Sequence, residues 1–406
     1  MKSDLDDLMR ASKLDAIVVL GNAEHNPPMY YFTGGGHISN GALFKWPGRE
    51  PVLYCNAMER EEAGRSGIKV IPVRNGAVET LIREPKEIFA EQGITSGRIG
   101  IYGTLDIGDL VAMLGAIRMA FPEIEIVGEP KDNSIFLRAM ETKDQSEVDR
   151  IRRMGKITME VVGMVAAYLQ GCEVSRDEIL LKEDGTPVTI GDVKSKISLW
   201  LAERGAADVE GTIFAIGKDA GIPHSVGTPE DLVRLGRTIV FDIFPSEAGG
   251  GYFYDFTRTW SLGYATPEAQ HLYDEVRVVY DKITDNLDLN APFMQYQNLA
   301  CDEFHQNGHN TPKHVKGVLE NGYVHSLGHG LGLNIHERPW GRHTSSEDNR
   351  LKPGVVITIE PGLYYPEKGM GVRIEDSYWV RPDGKMELLA EYPYDFVLPM
   401  KRWKKK

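Results

Sequence analysis

The chain has few of the features that mark secreted, membrane-spanning or nucleic-acid-binding proteins. Its 406 residues include three cysteines without paired spacing, which argues against a disulfide framework and favours a reducing, cytoplasmic location. No apolar run is long enough to cross a bilayer, and the polar N-terminus does not resemble a signal peptide. Acidic residues outnumber basic ones by 59 to 46, and the net charge of -13 argues against nucleic acid or an anionic membrane as a partner.

Length and composition predict two ordinary globular domains. A hydrophobic content of 42% is typical of folded proteins, and 406 residues are many for one domain. In the first third, strand and helix signals alternate, including one continuous helical pattern from Val78 to Gln92, which predicts an α/β domain with a mixed sheet. A long amphipathic helix from Lys143 to Gln170 then precedes a strand-rich region. We therefore expect an α+β chain with domains at residues 1–137 and 138–406.

Four carboxylates and one histidine stand in or beside apolar, strand-like segments, where an unpaired charge is costly. They are Asp242, Asp255, His329, Glu360 and Glu375. Burying a single unpaired carboxylate costs several kcal/mol or forces it to bind a proton. Converging carboxylates would also repel one another, whereas two divalent cations would balance their charge. Oxygen ligands with one imidazole suit Mn, Co, Zn or Fe, so the pattern predicts the dinuclear metal site of a hydrolase.

The order of these residues along the chain, with their neighbours, resembles a known family. An Asp in an apolar strand is followed by Asp255-Phe256-Thr257-Arg258-Thr259, Gly328-His329-Gly330, Glu360-Pro361-Gly362 and Arg373-Ile374-Glu375-Asp376. This series is similar to that of the pita-bread metallopeptidases, which include Xaa-Pro aminopeptidases, prolidases and methionine aminopeptidases. The segment Asn26–Gly34 also resembles the front domain of prolidases, which methionine aminopeptidases usually lack. The resemblance implies a C-terminal pita-bread domain behind a creatinase-like N-terminal domain.

The resemblance also implies roles for individual side chains. The four carboxylates and His329 would bind two divalent metal ions, with manganese as the first choice and Co, Zn or Fe as alternatives. Catalytic roles fall to His336, Glu360 and His224, and substrate contacts to His325 and Arg373. Glu360 would relay a proton from the attacking water while holding a metal. For Arg373 two alternatives are open, a contact that fixes Glu375 or a bidentate bond to a substrate carboxylate.

These expectations lead to an enzyme that cleaves Xaa-Pro bonds in short peptides. Two ions that share a water lower its pKa, and the bridging hydroxide attacks the scissile carbonyl. A homodimer is expected from the resemblance alone, and the choice between dipeptidase and aminopeptidase stays open. Two other functions also stay open: a metal-dependent enzyme of the same fold that acts on a small metabolite as a C–N hydrolase or lyase, and a non-catalytic binding protein.

One spacing departs from the family pattern. The gap between Asp242 and Asp255 is two residues longer than usual, and the additional residues fall within Ser246–Gly251. A hairpin loop would absorb them at small entropic cost. A slip in register would instead turn Asp255 to the wrong face of the sheet. The sequence Thr257-Arg258-Thr259 follows Asp255 as in the family, which favours the loop.

Overall fold

The computed structural model describes residues 4–403 of the chain. Its contacts divide the chain into two compact units. The first unit runs to Glu141 and includes Gly249–Gly251, and the second comprises Thr142–Ala248 and the residues from Tyr252 onward. The predicted boundary near residue 137 lies within the helix Ile135–Met140, and the assignment of the two named domains stays a prediction. The outer ends of those predicted domains, residues 1–3 and 404–406, lie outside the described residues.

The first unit is built on a six-stranded mixed sheet. Its strands are β1 (Ala16–Gly21), β2 (Gly41–Lys45), β3 (Val52–Asn56), β4 (Lys69–Val73), β5 (Gly97–Gly103) and β6 (Ile124–Val127). Its helices are α1 (Leu5–Ala11), α2 (Pro27–Thr33), α3 (Arg60–Gly64), α4 (Ala77–Arg83), α5 (Pro85–Glu91), α6 (Ile107–Ala120) and α7 (Ile135–Met140), with 3-10 turns at Ala57–Glu59 and Lys131–Asn133. The strand order is β4-β3-β2-β1-β5-β6. Because β2 is antiparallel to both neighbours and the remaining pairs are parallel, the sheet is mixed, as predicted.

A proline divides the helix predicted from Val78 to Gln92, so the prediction of one helix is wrong. The second helical piece, α5, begins at Pro85, which lacks a backbone N–H and sterically excludes the preceding helical turn. Glu84 accordingly leaves the helical region, with φ −137° and ψ 58°. Leu81 and Phe89, one from each piece, still pack in the same core against the sheet. The periodicity therefore located the buried face correctly but not the break.

The second unit contains four longer helices and several sheets. The helices are α8 (Gln145–Gly171), α9 (Ile190–Ala202), α10 (Pro267–Thr284) and α11 (Phe293–Gln306), with 3-10 turns at Asp219–Gly221 and Pro366–Lys368. The strands are β7 (Glu173–Val174), β8 (Leu180–Leu181), β9 (Ala206–Ala207), β10 (Ile213–Ile216), β11 (Thr238–Ile243), β12 (Ser246–Glu247), β13 (Phe256–Leu262), β14 (His329–Gly330), β15 (Glu337–Trp340), β16 (Val356–Ile359), β17 (Gly362–Tyr365), β18 (Met370–Arg373), β19 (Asp376–Val380), β20 (Met386–Leu388) and β21 (Val397–Leu398). The larger sheets have the orders β10-β11-β13-β21 and β15-β14-β16-β19-β20. The strand pairs β12-β9, β17-β18 and β7-β8 complete the unit.

Two features of the sequence fix the main packing of the second unit. The long helix α8 starts at a capping box. The Asp144 side chain accepts from the Glu147 backbone N–H, and the Glu147 side chain accepts from the Asp144 backbone N–H. Helices α10 and α11 contribute buried residues such as Val276 and Phe304 to one core with Ile357 and Val372 of the strands. Each fully buried aliphatic or aromatic side chain of this kind contributes roughly 1.5–3 kcal/mol. No helix among residues 4–403 is both long and apolar enough to cross a bilayer.

Candidate metal centre

The predicted ligand residues lie at strand positions contributed by several sheets. Asp242 lies within β11, Asp255 directly precedes β13, His329 begins β14, Glu360 follows β16, and Glu375 stands between β18 and β19. Strands β11 and β13 pair in antiparallel fashion, which sets the first two carboxylates side by side in the four-stranded sheet. An isolated bridge between Thr257 and Glu375 brings the last carboxylate to the same place.

The side chains of these residues converge in a buried cluster. His329 Nε2 lies 3.6 Å from Asp255 Oδ2 and 3.5 Å from Glu360 Oε1. Asp255, His329 and Glu375 each present one potential ligand atom, and these three atoms lie within 4.8 Å of one another. Asp242 also belongs to the cluster, since its Oδ2 accepts a hydrogen bond from Arg373 Nη2 and its charge acts on the neighbouring carboxylates.

Burial and mutual repulsion disfavour the charged forms of Asp255, Glu360 and Glu375. Burial, followed by the negative charges of Asp242 and Glu360, raises the pKa of Asp255 well above its usual value. Burial and the charge of Asp255 act in the same way on the pKa of Glu375. Burial also raises the pKa of Glu360 to about 8, against the opposing effect of Arg373. A cation among these groups would reverse this preference, because it favours the charged carboxylates.

The donor atoms fit a divalent metal. Three carboxylate oxygens are buried and have no hydrogen-bond partner among the described residues: Asp242 Oδ1, Asp255 Oδ1 and Glu375 Oε1. A buried polar atom without a partner costs about 1–3 kcal/mol, and more when it is charged. His329 Nδ1 donates to the Gly330 carbonyl at 3.1 Å, which leaves the Nε2 lone pair directed toward the carboxylates. Carboxylate oxygen and imidazole nitrogen are the ligands expected for Mn, Co, Zn or Fe. The role of these residues as ligands stays a prediction.

Two glycines allow His329 to lie this deep between neighbouring strands. A Cβ atom on Gly328 would lie 2.0 Å from the Thr358 carbonyl oxygen, and one on Gly330 would lie 1.8 Å from the Arg338 carbonyl oxygen. Such distances are far shorter than any van der Waals contact. The glycines that flank the histidine therefore serve the close approach of backbones.

Arg373 pairs with Asp242, whereas one of the two contacts suggested for it was with Glu375. Its guanidinium donates to Asp242 and, through Nη1, to the Tyr364 hydroxyl at 2.6 Å. The side chain is 3% exposed, so the arginine is committed to the cluster. The contact with Glu375 that the sequence suggested is not among its hydrogen bonds; Thr257 Oγ1 donates to Glu375 Oε2 instead, at 2.8 Å.

Tyr364 and the contact made by Thr257 belong to the site but were not predicted from the sequence. The Tyr364 hydroxyl accepts from Arg373 and lies 2.8 Å from His325 Nε2. Because His325 Nδ1 donates to the Ser326 carbonyl, the tyrosine donates to Nε2. Thr257 could have been found as a polar residue within a strand that is buried throughout. Tyr364 lies in β17, which pairs with β18, so the hairpin formed by these strands could have indicated its contact with Arg373.

The three additional histidines predicted for the site lie around the same cluster. His336 has its ring centroid 4.4 Å from that of His329, in an edge-to-face arrangement. His325 Nδ1 is 3.8 Å from Glu360 Oε2. Burial, aided by the charges of Arg373 and His224, lowers the pKa of His325 to about 3, so this imidazole is neutral. His224 is exposed, and its effect on His325 places it beside the cluster.

Comparisons with known proteins agree on family and fold. The profile described as "Metallopeptidase family M24" matches residues 149–382. The Xaa-Pro dipeptidase of Pyrococcus horikoshii is 26% identical over 392 residues, which cover 94% of each chain. The solved structure of the Xaa-Pro dipeptidase from Bacillus anthracis has a TM-score of 0.76 at 21% identity and covers 98% of this chain and 99% of that chain. The X-Pro aminopeptidase from Thermotoga maritima has a TM-score of 0.74 at 20% identity, covering 96% and 99%. The predicted pita-bread fold is confirmed by these likenesses.

Proposed function

Because the chain belongs to metallopeptidase family M24, we propose that it hydrolyses Xaa-Pro bonds in short peptides with the help of two divalent metal ions. The observation that carries the proposal is the buried cluster in which Asp255, His329, Glu360 and Glu375 converge. The names of the relatives supply the substrate class, since they include Xaa-Pro dipeptidases and an X-Pro aminopeptidase. Both dipeptides and longer peptides with an N-terminal Xaa-Pro therefore belong to the proposed substrates.

Charge balance favours two ions over one. Four carboxylates carry four negative charges, and the buried Arg373 offsets one of them. A single divalent cation would leave the cluster negative, which disfavours an attacking anion. Two divalent cations leave a net positive charge, which stabilises both an attacking hydroxide and the oxyanion that forms from the carbonyl. Held by the four carboxylates and His329, the ions would supply Lewis acidity and lower the pKa of the attacking water.

The remaining chemistry falls to side chains of this chain. Glu360 lies between His329 and His325, with Oε1 3.5 Å from His329 Nε2 and Oε2 3.8 Å from His325 Nδ1. It takes a proton from the attacking water and delivers it to the proline nitrogen, a secondary amine that must be protonated to leave. His336 and His224 stabilise the substrate carbonyl and the tetrahedral intermediate. Neutral His325 lines the pocket, and Arg373 holds Asp242 in place.

The proposal is tested with metal-loaded protein. Apo protein is reconstituted with Mn or Co, and Xaa-Pro dipeptides, Xaa-Pro-Yaa tripeptides and matched Xaa-Ala peptides are compared. We expect turnover of the proline peptides, two metal ions per chain by elemental analysis, and loss of turnover in Glu360→Gln. Absence of turnover on both proline series with Mn or Co bound would overturn the proposal. Three expectations stay predictions: manganese as the native metal, the homodimer and the cytoplasmic location. Analytical sedimentation tests the homodimer.

A further inference from the structure

A buried ion pair outside the ligand cluster lies in the second unit. Lys143 Nζ donates to Glu337 Oε2 at 2.7 Å, and the two side chains are 2% and 0% exposed. Lys143 precedes α8, and its backbone N–H donates to the Gly354 carbonyl at 2.8 Å. Replacing such a pair by apolar groups is often neutral or stabilising, because desolvation offsets most of the attraction. Stability alone therefore does not account for the pair, and its contacts indicate a second role.

The carboxylate of this pair also fastens the loop between β14 and β15. Glu337 Oε1 accepts from the Asn334 backbone N–H at 2.9 Å and from the Asn334 side-chain amide at 3.3 Å. Gly332 packs against the pair so closely that a Cβ atom there would lie 2.5 Å from Glu337 Oε2 and 2.7 Å from Lys143 Cε. The loop 331–336 is thus held at its middle by a carboxylate whose other oxygen is fixed by an ammonium group.

His336 is the last residue of this loop and directly precedes Glu337. Neighbouring residues of an extended chain point in opposite directions, and here Glu337 is buried whereas His336 is exposed beside His329. We propose that the Lys143–Glu337 pair positions His336 at the metal centre, an inference that rests on the proposed function. Lys143 and Glu337 are positioning residues in this scheme, and they act on the reaction through the histidine.

The test replaces the ion pair by an apolar pair of similar size, Lys143→Met with Glu337→Leu, in the metal-loaded full chain. Such replacements are often neutral or stabilising, but here the Asn334 N–H loses its acceptor. We expect kcat on an Xaa-Pro peptide to fall roughly 10- to 100-fold, since a displacement of about 1 Å can cost about 10²-fold. KM and metal content stay unchanged. His336→Ala is expected to lower kcat by a similar factor. Adding it to the double variant is expected to lower kcat no further, because both changes remove the contribution of His336 to catalysis.

Hydrogen exchange of residues 331–337 gives a readout that does not depend on turnover. Exchange is expected to accelerate most in Lys143→Met with Glu337→Leu and by a smaller factor in Lys143→Met with Glu337→Gln, where the amide oxygen still accepts from Asn334 but no ammonium group fixes the side chain. The control Asp348→Asn removes the ion-pair partner of Arg338, the next residue of β15, and leaves kcat unchanged. The positioning role is overturned if the kcat losses of the double variant and of His336→Ala multiply when combined. It is also overturned if hydrogen exchange of residues 331–337 is unchanged in Lys143→Met with Glu337→Leu. If the wild type cleaves no Xaa-Pro peptide, the proposed function fails, and the exchange rates alone decide whether the pair fixes the loop.

Discussion

Without its metal, the protein is expected to lose stability as the pH rises from 6.5 to 8, and Glu360 is central to this effect. Burial, together with the negative charge of Asp242, outweighs the Arg373 guanidinium and raises the pKa of Glu360 from 4.5 to about 8. Since the folded-state pKa exceeds the unfolded value, the contribution of this group is fully present below pH 4.5 and is lost as the pH rises through 8. The pKa values of Asp255 and Glu375 are raised as well, so both carboxyls act in the same direction.

Two histidines limit the pH window in which the effect can be seen. Burial lowers the pKa of His325 and His329 from 6.5 to about 3, so their contribution to stability grows as the pH rises between these values. Below pH 6.5 the histidines oppose the carboxyls, whereas above it they no longer titrate. From pH 6.5 to 8, Glu360 alone costs about 1.4 kcal/mol per pH unit, or about 2 kcal/mol in total. That amount is a large share of a typical stability of about 5–15 kcal/mol.

Denaturant unfolding of chelator-treated protein across this window measures the effect. The free energy of unfolding is expected to fall, and the fall is expected to be smaller by about 2 kcal/mol in Glu360→Gln, which cannot ionise. Reloading with Mn removes the dependence, because the cations favour the charged carboxylates. A metal-free protein that becomes more stable between pH 6.5 and 8, or a Glu360→Gln variant with the wild-type slope, would refute the reasoning.

Three further substitutions and one control, Gly163→Ala, test the site and its packing. Gly330→Ala places a Cβ atom 1.8 Å from a carbonyl oxygen and is expected to lower Tm and metal content together. In the control Gly163→Ala, in α8, the Cβ atom meets open space, and the free energy of unfolding is expected to rise by up to about 1 kcal/mol. Thermal unfolding measures both effects. Tyr364→Phe removes the hydroxyl that accepts from Arg373, so kcat falls while metal content by elemental analysis stays the same; loss of metal would contradict this. Asp255→Asn removes a buried charge from the cluster, and titration calorimetry is expected to show metal affinity weakened by 10-fold or more, about 1.4 kcal/mol.

Local patterns were sufficient to locate the carboxylates but not their partners. Asp242 and Asp255 stand out against apolar neighbours in their own segments, whereas Glu375 lies between Arg373 and Asp376 and was singled out by its place in the family series. Arg373 was expected to share a strand face with Glu375, yet β18 ends at Arg373 and β19 of another sheet begins at Asp376. Glu375 stands at the break, where it pairs with Thr257, and the arginine turns to Asp242. This break between β18 and β19 depends on the pairing of Glu375 with the distant Thr257. The spacing between Arg373 and Glu375 alone therefore could not predict it.

The longer segment before Asp255 shows why loop length is a weaker guide to a site than the residues at its ends. Strands β11 and β13 pair without a shift of register, as expected if a loop absorbs the additional residues. On the near side, Glu247 accepts from Arg150 Nε at 3.0 Å and belongs to the pair β12-β9. The additional residues are accommodated in the loop tip Gly249–Gly251, which lies outside the strand pairing and has a positive φ at every residue. On the far side the Phe253 backbone N–H donates to the Gly332 carbonyl at 2.9 Å. The chain is therefore anchored on both sides of this tip, and Asp255 Oδ2 lies 3.6 Å from His329 Nε2 despite the additional length.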